Sequence, residues 1–115
     1  MAQTLASNYR IVNGPLSDVI SWASSAAAQT IVAAVAGQRI AVYGYVLISD
    51  TDTALQWEDE DGTALTGELT VIARDPLVVP QNDVPWFVTP AGKALAIDPT
   101  VACVGTGHIL FAYVV

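Results

Sequence analysis

The chain has 115 residues, of which 53% are hydrophobic and only 13% charged, with a formal net charge of −7. That length suits one compact domain and leaves little room for a second. A charged fraction about half the usual share excludes the ordinary surface of a soluble monomer, so part of that surface is expected to be covered.

A lipid bilayer is not the expected cover. The longest apolar runs, residues 31–36 and 40–48, fall well short of the ~20 residues that a spanning helix needs. The first ten residues are polar and lack the charged-then-apolar pattern of a secretion signal. Cys103 stands alone, which excludes an internal disulfide and suits synthesis in a reducing cytosol. Nucleic acid is an unpromising partner too, because Arg10, Arg39, Arg74 and Lys93 are the only cations available to meet phosphates. The acidity is concentrated: Asp50, Asp52, Glu58, Asp59, Glu60 and Asp61 fall within twelve residues, while the rest is nearly neutral.

In chain order, residues 1–15 show no sustained period and read as an irregular arm ordered against a neighbour. Residues 16–115 read as a single all-β domain. Residues 16–28 favour an edge strand over a short helix capped by Ser17. Residues 30–35 form a short apolar strand, and Gly37-Gln38 reads as a two-residue reversal into the next. Residues 39–49 alternate with apolar side chains on both faces, which suggests a strand covered on both sides. Residues 54–58 alternate again, and Asp59-Glu60-Asp61-Gly62 makes a turn closed by glycine at positive φ.

Further strands are expected at 63–65 and 68–73. A proline-rich loop from Arg74 to Pro85 follows, then strands at 86–89, 94–97 and 108–115. Short strands at this spacing indicate a β-sandwich or jelly roll.

Candidate chemistry is sparse. Asp50-Thr51-Asp52 opens like a calcium loop, but the EF-hand glycine and glutamate positions are missing, so Asp50 and Asp52 are weak cation candidates. Glu58, Asp59, Glu60 and Asp61 read as a solvated hairpin tip that could serve as a docking loop. Cys103 and His108 would need to meet within hydrogen-bond reach to form a nucleophilic pair, and no Gly-x-Ser-x-Gly elbow presents a serine. One His and one Cys make no zinc site. Gly105-Thr106-Gly107 precedes a strand rather than a helix and reads as a hairpin turn. Trp22, Trp57 and Trp86 suit core or interface packing, with sugar stacking as the alternative. No catalytic residue and no cofactor are expected.

Three segments carry a family resemblance. Residues 30–42, TIVAAVAGQRIAV, resemble the "TVVAAVAGKKIRV" opening of small virion proteins of tailed bacteriophages and prophages. Leu55-Gln56-Trp57 followed by Asp61-Gly62-Thr63-Ala64-Leu65-Thr66-Gly67-Glu68-Leu69 is similar to their "FKSGxTALTGxL" hairpin. Trp86-Phe87-Val88-Thr89-Pro90-Ala91-Gly92-Lys93-Ala94-Leu95 is similar to their "WFxTxxGEAL" segment, and the strand ending Tyr113-Val114-Val115 fits as well. The resemblance covers roughly residues 25–115. Lys93 departs from it where an acidic residue is usual, and the tip at 58–61 is unusually charged.

The resemblance implies a compact jelly roll that assembles as a homotrimer on the phage particle, made in the bacterial cytoplasm and located in the virion. Its partners would be the major capsid protein, bridged as a decoration or cement protein does, or other virion proteins in a tail, baseplate or fibre appendage. A carbohydrate-binding module using Trp57 or Trp86 is the reading from another class. A trimer also suits the composition, because it hides apolar surface around its axis. Tyr43, Tyr45, Leu47, Phe111 and Tyr113 are the residues expected beneath sheet packing or neighbouring subunits.

Overall fold

The computed structural model describes residues 9–25 and 27–115, and every regular element among them is a strand. In chain order these are β1 (Ile11–Ser25), β2 (Gln29–Val32), β3 (Arg39–Ser49), β4 (Thr53–Asp59), β5 (Leu69–Val71), β6 (Leu77–Val79), β7 (Phe87–Val88), β8 (Leu95–Pro99) and β9 (Cys103–Val114). They form two antiparallel sheets, one ordered β1-β9-β3-β6 with β7 also on β3, the other β2-β8-β4-β5. The pairs β1–β9, β2–β8, β3–β6 and β4–β5 are nested, like one long hairpin rolled onto itself.

The core lies between the sheets. Ile20, Trp22, Ile40, Val42, Tyr45, Leu47, Ile109 and Phe111 come from the first sheet, and Val32, Leu55, Trp57, Val71, Leu95 and Ile97 from the second. Tyr45, Trp57 and Phe87 meet edge-on or tilted, with ring centroids 5.3 to 6.4 Å apart, as aromatic quadrupoles favour. The Trp57 indole N–H lies close enough to the Tyr45 phenol to influence it. It misses hydrogen-bond geometry, however, and is a buried donor without a partner among the described residues.

The central strand β3 reads as apolar on both faces because it changes face partway. Against β9, Val42 pairs with Phe111 and Gly44 with Leu110, which leaves Tyr43 as one unpaired extra residue. Such a β-bulge shifts the two-residue period by one. Ile40 and Val42 therefore point inward before it, and Tyr45 and Leu47 after it, all within the same core. Cover on both sides is needed only near the start of β3, where Ala41 packs with Ala112 and Val114 beneath Tyr9, Tyr43 and Val88.

The expected turn at Gly105-Thr106-Gly107 instead lies inside β9, in continuous register with β1 and β3. Both glycines are needed for close approach. A Cβ on Gly105 would collide with the Trp22 indole, and one on Gly107 with the Val46 carbonyl. Glycine here lets neighbouring groups come close rather than reversing the chain.

Other boundaries move for local reasons. Ile11 to Pro15, expected within the arm, belong to β1, where Ile11 and Asn13 pair with Val114 and Tyr113. Residues 1–8 of that arm lie outside the described residues. Gly37 (φ 76°) does close a turn, through Gln38 N–H to Val35 O, but β2 and β3 lie in different sheets. The turn therefore crosses the sandwich instead of making a hairpin. Residues 63–65 make only an isolated bridge, Ala64 to Glu58. The proline-rich loop contains β6, three residues between Pro76 and Pro80, too short to show a period.

Gly107→Ala is expected to lose about 3 kcal/mol or more of stability, because the obstacle is a backbone carbonyl in a central ladder. Urea unfolding measures it, and a parental midpoint would refute the close-approach role.

Candidate functional site

The acidic tip is built from the end of β4 and the turn after it, against the loop that leads into β8, and its carboxylates are largely used within the chain. Asp59 is 4% exposed, and its Oδ1 accepts the N–H groups of Asp61 and Thr63 at 2.9 and 3.0 Å. Glu60 Oε1 accepts the Ala94 N–H at 2.8 Å. Asp61 pairs with Lys93 at 2.8 Å, and that hydrogen bond raises the lysine pKa above its ordinary value. The turn at 59–62 forms as read from sequence, with Gly62 at φ 85° and its N–H on Asp59 O. The four residues are not a row of free docking charges, however. Glu58 and Asp59 are buried, and Lys93 fastens the tip to the loop beside it.

Glu58 lies on the outer side of the second sheet, in register with Ala96, while its neighbour Gln56 is opposite Asp98. Burial raises the Glu58 pKa first; a hydrogen bond with Asp98 and the charges of Asp98 and Asp59 raise it further. Two carboxyl groups sharing this space favour holding one proton between them.

Asp50 and Asp52 act as loop acceptors. Asp50 Oδ1 takes the Thr51 hydroxyl and the Val104 N–H, and Asp52 Oδ1 takes the Ala73 N–H. Among the described residues, no three His, Cys, Asp or Glu side chains converge as a metal site would require. Cys103 and His108 do not meet. The thiol is buried on the inner face of β9 and accepts the Trp22 indole N–H at 3.4 Å. His108 is exposed on the outer face, five residues or about 16 Å along the strand.

Of the three tryptophans, Trp22 and Trp57 are core residues, so neither is open to a sugar. Trp86 is 48% exposed, with its indole N–H donated to Pro80 O. Tyr45, Leu47 and Phe111 are buried between the sheets, covered by the chain's own second sheet. Tyr113 is half-buried and its hydroxyl donates to Ala33 O, tying the crossover after β2 to β9. Tyr43, the bulge residue, is on the outer face.

That outer face is the feature single-strand reading missed. Three rows cross the first sheet: Ser17–Leu110–Gly44, Val19–His108–Val46–Val78 and Ser21–Thr106–Ile48. No Asp, Glu, Lys or Arg occurs in any of them. Val19 and Val78 are each 58% exposed, and a shallow groove of about 230 Å³ runs between Ser17, Gly44, Val46, Val78, His108 and Leu110. The signal was present as uncharged alternate positions in β1, β3 and β9. Their alignment into one face required the register.

The chain matches no protein-family model, and no curated protein or solved structure matches it significantly.

Because Glu58 has a raised pKa in the folded state, its proton contributes stability that is complete below the ordinary carboxylate range. That contribution is lost as pH rises through the shifted value. Glu58→Gln is therefore expected to raise Tm at neutral pH and to flatten the gain on acidification. Thermal melts across that range check it, and a lower neutral Tm in the variant would contradict the shared-proton arrangement.

Proposed function

We propose that this protein is a non-enzymatic structural component of a tailed-phage virion, a trimeric capsid decoration protein that bridges major capsid subunits. The observation that carries this reading is the uncharged stretch of three rows on the outer face of the first sheet. A chain of net charge −7 that keeps carboxylates off a four-strand surface can bring that surface against protein without self-repulsion. Exposed Val19 and Val78 supply apolar area there, and the half-buried Val46 and Leu110 complete a contact of mixed apolar and hydroxyl character.

The nested strand pairs support the jelly-roll reading, since an eight-strand roll of two sheets joins its strands in this way. The segments that carry the resemblance also have structural roles. Residues 30–42 make the crossover into β3, 55–69 the acidic hairpin, and 86–95 the approach to β8. Lys93, the departure from the resemblance, answers the other departure by pairing with Asp61. A tail or baseplate location would use the same face, and the position of labelled protein on intact particles separates the two.

Light scattering is expected to give the mass of three chains for the native protein and of one for Val46→Asp, which puts a charge in the middle row. The native protein is also expected to bind expanded heads and the variant to lose that binding. A native monomer at micromolar concentration would overturn the trimer, and head binding unaffected by Val46→Asp would remove this face from the contact.

A further inference from the structure

We propose that the loop at residues 80–86, together with the bulge residue Tyr43, forms a binding groove for a neutral saccharide. The groove has a volume of about 140 Å³ and is lined by Tyr43, Gln81, Asn82 and Asp83, with Ile11, Pro15 and Leu110 at its sides.

The loop is fixed rather than merely exposed. Asn82 N–H donates to Tyr43 O at 3.0 Å and Trp86 N–H to Val42 O at 2.7 Å, so both ends are anchored on the bulge. The Trp86 indole N–H closes the loop on Pro80 O at 2.9 Å. Inside it, Asp83 N–H donates to Asn82 Oδ1 at 3.1 Å, which orients the Asn82 amide and leaves its NH₂ as a donor. Among the described residues, no hydrogen bond or ion pair engages the Asp83 carboxylate or the Gln81 amide. Gly44 makes this approach possible, since a Cβ there would press on the Gln81 backbone at 3.0 Å.

The resulting set is a half-buried aromatic ring beside a carboxylate acceptor and two amides, held on a rigid frame. A pyranose ring presents an apolar C–H face to an aromatic and adjacent hydroxyls to paired donors and acceptors. Few, well-placed polar groups around an apolar floor are how small-ligand sites obtain orientation. The charge argues for a neutral sugar, because no Lys or Arg lines the groove and Asp83 would repel an acidic one. So small a groove holds one ring, so a single contact is expected to be weak.

The test uses the intact protein on an array of neutral and acidic oligosaccharides, followed by saturation-transfer NMR with the free sugars that score. Neutral saccharides are expected to bind, and Asp83→Ala and Asn82→Ala each to weaken binding about ten-fold, the equivalent of one lost hydrogen-bonding group. Val101→Ser, exposed and outside both the groove and the uncharged rows, is expected to bind as the parent does. A blank array with no saturation transfer overturns the proposal, as does binding that survives both loop substitutions or prefers acidic sugars. Leu110 borders both this groove and the uncharged rows, so the array is run on the native protein and on Val46→Asp. Binding by neither overturns this proposal, whereas chain mass and head binding test the assembly reading separately.

Discussion

One extra residue in β3 organises most of this molecule. Tyr43 has no partner on β9, and the strand's inward face changes sides at that point. Without the bulge, Ile40 and Val42 could be buried only by exposing Tyr45 and Leu47, and the aromatic contact with Trp57 and Phe87 would be lost. The bulge also turns the Tyr43 carbonyl to the same side as that of Val42, so that together they hold the loop at 80–86.

The second constraint is closeness around β9. Gly105 and Gly107 let Trp22 lie over one strand and the Val46 carbonyl press on it, so the first sheet is tight where its two longest strands run together. Tightness on the inner side has a counterpart outside. With glycines inward, the outward positions Thr106, His108 and Leu110 form uninterrupted rows with β1 and β3. The charge deficit evident in composition is thereby gathered onto one face, while Glu58, Asp98 and the Lys93–Asp61 pair occupy the other sheet and its end.

The strands with plain alternation were legible from sequence. Residues 39–49 coincide with β3, and residues 54–58 lie within β4, because alternating apolar positions and a glycine-closed turn are local signals. Features that depend on a distant partner were not. A Gly-Thr-Gly run looks the same whether it reverses a chain or makes room for an indole, and only the placement of Trp22 decides between them. Apolar residues on both faces of β3 suggested double cover, whereas the bulge needed the register of β9 to be seen. The acidic tip was located correctly as a turn but the engagement of its charges was hidden, since the partners of Glu60 and Asp61 lie more than thirty residues on, at Ala94 and Lys93. Likewise, Tyr45, Leu47 and Phe111 carried a real burial signal that sequence could not divide between a second sheet and a second chain.

The central proposal is that the uncharged rows of the first sheet are covered in an assembled particle while the outer side of the acidic sheet faces solvent. Cryo-electron microscopy of heads saturated with the protein tests it most directly. The account predicts density for neighbouring protein across the row Val19–His108–Val46–Val78 and open solvent over Gln56 and Asp98. Density that covers Gln56 and Asp98 and leaves that row open would contradict it.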